Sequence, residues 1–165
     1  MREYQPLHGL APVAVLGALV VGCGGGGGGS DSSFISKLNE ECRMSQSQVE
    51  ALGQPASSSP ADEATFFKKV LPIVESEGSR IKAISPPSDK AADFAAANAN
   101  HDQVLTLLKQ AIAAGDAGDK VQINQILTQA QALSATGDAL ATKIGATDCV
   151  TKSASTPSTT ATTTT

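Results

Sequence analysis

Apolar residues recur at three- and four-residue steps in four separate stretches of this 165-residue chain, and nowhere do they alternate with period two over a useful length. A chain so patterned must bury four helical stripes against one another, because it offers no sheet face to cover them. Composition sharpens the constraint. There is no tryptophan, the one tyrosine is Tyr4, and the phenylalanines are Phe34, Phe66, Phe67 and Phe94. Core filling falls to leucine, isoleucine, valine and many alanines, which favours closely packed helices.

The first stripe carries Phe34, Ile35, Leu38, Cys42, Val49 and Leu52, and Gly53 and Pro55 end it. The second opens at Ser59-Pro60-Ala61-Asp62-Glu63. Ser59 suits a cap, Pro60 the first helical position, and the two acids the positive end of the dipole. Phe67, Val70, Leu71, Val74, Ile81 and Ile84 follow on one face, with Pro72 interrupting it. A kink is expected at Pro72, because proline lacks an N–H and clashes with the carbonyl of Lys68. Pro86-Pro87 should stop this helix. The third, from Ser88-Asp89, shows Phe94, Ala97, His101, Val104, Leu105, Leu108 and Ile112, with Gly115 or Gly118 as its end. The fourth, from Asp116 or Asp119, runs through Val121, Ile123, Ile126, Leu127, Leu133, Leu140 and Ile144 to Gly145, a candidate left-handed cap. Four such helices with short connections predict an all-α, up-down-up-down four-helix bundle over residues 33–150.

The N-terminus follows different rules. Leu10 to Val21 is mostly apolar but would rise only about 18 Å as a helix, short of a bilayer core of about 30 Å. It ends in Leu19-Val20-Val21-Gly22-Cys23 and runs into the glycines 24–29. Small residues and a cysteine closing an apolar run resemble the signal peptide of a bacterial lipoprotein. That resemblance implies a signal peptide at 1–22, removed in the mature protein, and lipidation at Cys23. Two acyl chains suffice for stable anchoring, which would place the protein on the extracytoplasmic face of the cell membrane. Residues 23–32 would then be the lipidated cysteine and a glycine-rich linker. Residues 151–165, nearly all Ser, Thr, Ala and Pro, have too little apolar content to offset ordering entropy and are expected to form a disordered tail.

With Cys23 assigned to the anchor, Cys42 and Cys149 remain, in a compartment that permits a disulfide. In an up-down-up-down bundle the end of the fourth helix returns to the start of the first, which would bring this pair together. Two free buried thiols are the alternative. Metal ligation by the pair lacks a third soft ligand.

The search for catalytic chemistry returns little. His101 lies on the apolar stripe of the third helix and is expected to be hydrogen-bonded in the core or turned to solvent. Its other readings are a pH switch or a ligand. Asp116 and Asp119 read as helix caps, and Glu75 and Glu77 as a solvated face beside Arg80 and Lys82. There is no Gly-x-Ser-x-Gly elbow, no Glu-x-x-His pair, no Ca²⁺-loop spacing, and no Lys-Ser/Thr after the glycine run. A formal net charge of −4 without a Lys/Arg cluster argues against nucleic acid. The expectation is a protein that is not an enzyme and has no cofactor or metal.

Cys42, Pro86-Pro87, Ala114-Gly115-Asp116, Gly145 and Cys149 together resemble a group of small uncharacterised actinobacterial lipoproteins. The resemblance implies an anchored helical domain and supplies no reaction. The function expected is therefore a binding or interaction module, engaging an envelope protein. The alternative is a carrier of a small apolar ligand, admitted through space opened near Pro72. An exposed apolar patch would favour the first reading and an apolar pocket the second.

Overall fold

The computed structural model describes residues 28–151. The segment expected to be a signal peptide, Cys23 and residues 152–165 lie outside the described residues. Four helices, α1 (Gly28–Ala51), α2 (Pro60–Lys82), α3 (Ala91–Asp116) and α4 (Lys120–Ile144), are followed by a short 3-10 turn, η1 (Thr147–Cys149). No strand occurs among the described residues, and the helices pack together as an all-α four-helix bundle.

Local chemistry sets the ends. Ser59 caps α2 by accepting from the Asp62 amide, with Pro60 in the first turn. Asp119 caps α4 through the Gln122 amide, so α4 begins at the later of the two candidate aspartates. Gly145, at φ 95°, closes α4 in the left-handed region.

Three boundaries differ from expectation. α1 begins at Gly28, within the glycine tract, with Asp31 in its first turn near the positive end of the dipole. α2 ends at Lys82 and not at the prolines. The Ala83 and Ile84 amides turn back onto Arg80 and Ile81 carbonyls, and Ser85, preceding proline, disfavours helical backbone. α3 starts at Ala91 without a side-chain cap, after a turn in which the Lys90 amide donates to the Pro87 carbonyl. Gly115 does not end α3. It is buried inside the helix, where its hydrogen faces Ala64 and the Pro60 carbonyl, and the chain reverses instead at Gly118, φ 74°.

The helices meet in chain order. α2–α3 and α3–α4 form broad interfaces, while α1 lies on α2 and reaches the α4 side chiefly through η1. Two cores result. Phe34, Leu38, Phe94, Ile144 and Ala146 form one, with Ile81, Ile84 and Cys149 packed against it. Within it the Phe34 and Phe94 rings stand edge to face, 5.3 Å apart. Cys42 and Cys149 are joined at disulfide distance beside this core, their Cα atoms 5.1 Å apart. Leu107, Ala111, Ala114, Ile123 and Ile126 form the second core, with Phe67 and Leu133 against it. α2 is continuous through Pro72, whose ring lies on the exposed face.

Candidate functional site

Beside the first core the packing is incomplete. A cavity of about 310 Å³, partly open to solvent, is lined by residues of all four helices. Leu38, Val74, Ile81, Phe94, Val104 and Ile144 are among its apolar wall residues, and both cysteines of the Cys42–Cys149 bridge line it. Pro72 is not in the wall. The α2 residues that are, Val74, Glu77 and Ile81, follow it in the helix.

Set into this apolar wall are Glu77 from α2, Asn100 and His101 from α3, and Ser134 and Asp138 from α4. Each falls at a position that the helical stripe would otherwise give to an aliphatic residue or glycine. The Asn100 amide donates to the Leu133 carbonyl at 3.2 Å, which ties α3 to α4 at the level of Gly137. Asp138 accepts from both the amide and the hydroxyl of Thr151, and so straps the chain after η1 onto α4.

His101 is held differently. Its imidazole lies over the bare backbone of Gly78: a Cβ there would sit 2.5 Å from the ring carbon Cε1 and 2.9 Å from Nδ1. Neither ring nitrogen has a hydrogen-bond partner, although both are shut off from solvent. The Glu77 carboxylate faces it with Oε2 4.0 Å from Nε2, beyond hydrogen-bond reach. Burial lowers the His101 pKa from its usual 6.5, despite the opposing charge of Asp102. The ring is therefore neutral at pH 7, with one nitrogen a donor and the other an acceptor.

Glu77 is the counterpart. Its side chain is only 16% exposed. Burial raises its pKa, against a hydrogen bond from Ser45 and the positive charge of Arg80. The Arg80 guanidinium is itself shared: it donates to Glu41 and to Ser76, and its Nη2 is buried without a partner. The seam between α1, α2 and α3 thus holds Glu41, Glu77, Arg80 and His101 with incomplete hydrogen bonding.

Two expectations are corrected here. Glu77 belongs to the cavity wall and not to a solvated face: the spacing of Val74, Glu77 and Ile81 places it on the inward stripe of α2. His101 is neither hydrogen-bonded nor turned to solvent, because Gly78 makes room for the ring and no polar group comes within reach. The signal for Glu77 was present as a gap in the apolar spacing between Val74 and Ile81. Nothing in the spacing marks Asn100 or Gly78 as its companions.

The other sequence candidates stay apart from the cavity. Asp116 pairs with Lys68 at 2.6 Å and Glu75 with Lys109 at 2.8 Å, all on exposed faces. Asp119 is a cap. Among the described residues no group of three or more His, Cys, Asp or Glu is placed to hold a metal ion. No helix among them is long and apolar enough to cross a membrane. No protein family, curated protein or solved structure matches this chain.

Proposed function

We propose that this chain is a membrane-anchored extracytoplasmic lipoprotein whose helical domain binds a small, largely apolar molecule in the cavity beside its first core. The cavity carries this reading. Its volume, about 310 Å³, is about twice the roughly 150 Å³ of an apolar cavity that accepts benzene, and reaches the lower end of ordinary ligand sites. Mostly aliphatic walls with a few polar groups are the usual make-up of such sites. Among the described residues the large exposed apolar side chains, Met44, Val121 and Leu127, are scattered over α1 and α4. Scattered single residues of this kind are ordinary surface, so a protein-docking face has less support than the cavity.

Anchoring is supported by the pattern from Leu10 to Cys23 and the glycines behind it. Membrane fractionation with mass spectrometry of the mature N-terminus tests it. Acyl chains on Cys23 are expected, and Cys23→Ser should release the protein. For the cavity, an environment-sensitive anilinonaphthalene dye should bind the folded domain at one site. Ala97→Phe, which places a ring into the cavity from a half-buried position in its wall, should abolish that binding while the helical circular dichroism is kept. Dye binding unaffected by this substitution would remove the support for a carrier.

A further inference from the structure

The polar content of the cavity is one-sided. Among the described residues its charged lining groups are Glu77 and Asp138, and no described lysine or arginine stands in the wall. Of the described cations nearby, Lys82 pairs with Asp102, Lys143 with Asp93, and Arg80 with Glu41, although Arg80 Nη2 is left without a partner. Arg80 also acts on Glu77 through space, so one guanidinium serves two carboxylates. His101 does not make up the difference, because burial keeps its imidazole neutral. Asp138 is occupied by the Thr151 amide and hydroxyl, whereas Glu77, which has Ser45 and the distant charge of Arg80, forms no ion pair with a described lysine or arginine.

We propose that the cavity takes an organic cation, an amine carried on an apolar body of about a dozen non-hydrogen atoms, with its ammonium held by Glu77. The proposal rests on the reading of the cavity as a small-molecule site and narrows its ligand class. Leu38, Val74, Ile81 and Val104 would enclose the apolar body. The ammonium would turn a desolvated carboxylate into a charge-assisted pair, and the acceptor nitrogen of His101 lies close enough to Glu77 to take a second N–H after a small shift of the ring. A neutral hydrocarbon of the same shape would gain the wall contacts alone. A carboxylate on that shape would meet Glu77 and Asp138 and be repelled.

Three probes of one shape separate these cases: naphthylmethylamine, methylnaphthalene and naphthylacetate, titrated calorimetrically into the purified, disulfide-intact protein at neutral pH. The amine should bind about tenfold or more tightly than the neutral hydrocarbon, and the acetate most weakly. Glu77→Gln should abolish the preference for the amine and keep methylnaphthalene binding. Asp138→Asn should leave the preference in place. If the hydrocarbon binds wild type as tightly as the amine, the cation assignment is overturned and the cavity reading stands. If none of the three binds, the cavity reading falls with it. A preference that survives Glu77→Gln also overturns the assignment. Should that variant fail to fold, the wild-type series decides the matter alone.

Discussion

The two ends of the bundle are closed by different means. At the disulfide end large side chains meet: Phe34 against Phe94, with Leu38, Ile81 and Ile144 around them, drawn from all four helices. At the far end the core comes from α2, α3 and α4 alone, and helices approach closely over Ala64, Ala111, Ala114 and Gly115. Bulk with a covalent tie closes one end, and smallness closes the other. The cavity opens against the disulfide end, where Leu38, Phe94 and Ile144 line it, and extends to the level of Val74 and Val104. There Glu77, Asn100 and His101 take inward positions, so neither bulk nor close approach completes the packing. If the two ends stabilise the bundle separately, they should respond differently to substitution.

Cutting the covalent tie is the strongest way to break this comparison. Cys42 and Cys149 are 107 residues apart in sequence, and closing a loop of that length is worth about 4.7 kcal/mol by chain entropy, with about 2–5 kcal/mol typical of native bridges. Reduction, or paired Cys42→Ser and Cys149→Ser, should lower the unfolding free energy by that order in urea titrations. The loss should also be uneven. Amide exchange at Leu38 and Ile144 should accelerate more than at Ile123 and Ile126, because α1 meets the α4 side chiefly through η1. Equal acceleration at both sites would show one cooperative unit, and the division into two ends would fail.

The far end is tested at Gly115. A Cβ there would lie 2.6 Å from the Ala64 Cβ and 2.6 Å from the Pro60 carbonyl oxygen, which belong to the first turn of α2. Backbone cannot move aside, so α2 and α3 must separate. Gly115→Ala should therefore destabilise by about 1–3 kcal/mol, despite the gain in helix propensity of up to about 1 kcal/mol. Thermal and urea unfolding would show it, and a neutral or stabilising result would mean that this end is loosely packed.

Legibility in the sequence divides along the same line. The helices and most caps follow from local signals: Ser59-Pro60, Asp119 and Gly145 each act within a turn of themselves. The pairing of Cys42 with Cys149 follows from topology once four helices are read. The cavity wall does not follow. An aliphatic residue on a stripe declares its burial, but Glu77 and His101 can leave a stripe by a change of rotamer, so their spacing alone does not settle where they point. Gly115 reads equally well as a helix end or as a close contact. Only the position of Ala64 and Pro60 on a neighbouring helix decides between them. That information is tertiary, and the apolar periodicity does not carry it.

The cavity wall also sets a pH dependence. The folded Glu77 pKa is raised by burial above its ordinary 4.5. Its contribution is fully present below 4.5, where the carboxyl is neutral in both states, and is lost as pH rises through the raised folded value. His101 runs the other way. Its folded pKa is lowered below 6.5, so its contribution is present above 6.5 and lost as pH falls through the depressed value. Glu77→Gln should thus stabilise the ligand-free protein at pH 8 relative to wild type, and this advantage should shrink toward pH 4.5. Denaturation midpoints across that range measure it. A difference independent of pH would show that the Glu77 carboxylate is well solvated in the folded state.

Gly78 provides the smallest effect on stability and the finest test of the contrast with Gly115. The close approach is nearly the same, 2.5 Å for a Cβ at Gly78, but the neighbour is the His101 ring and not backbone. That ring makes no hydrogen bond and borders open space, so it can swing into the cavity without losing a partner. Gly78→Ala also gains up to about 1 kcal/mol of helix propensity. The two effects oppose, and the net change should stay within about 1 kcal/mol, where Gly115→Ala is clearly destabilising. The displaced imidazole would fill part of the cavity, so binding of the anilinonaphthalene dye should fall while the fold is kept. A Gly78→Ala loss as large as that at Gly115 would mean that the ring is pinned and the cavity wall is as tightly packed as the ends.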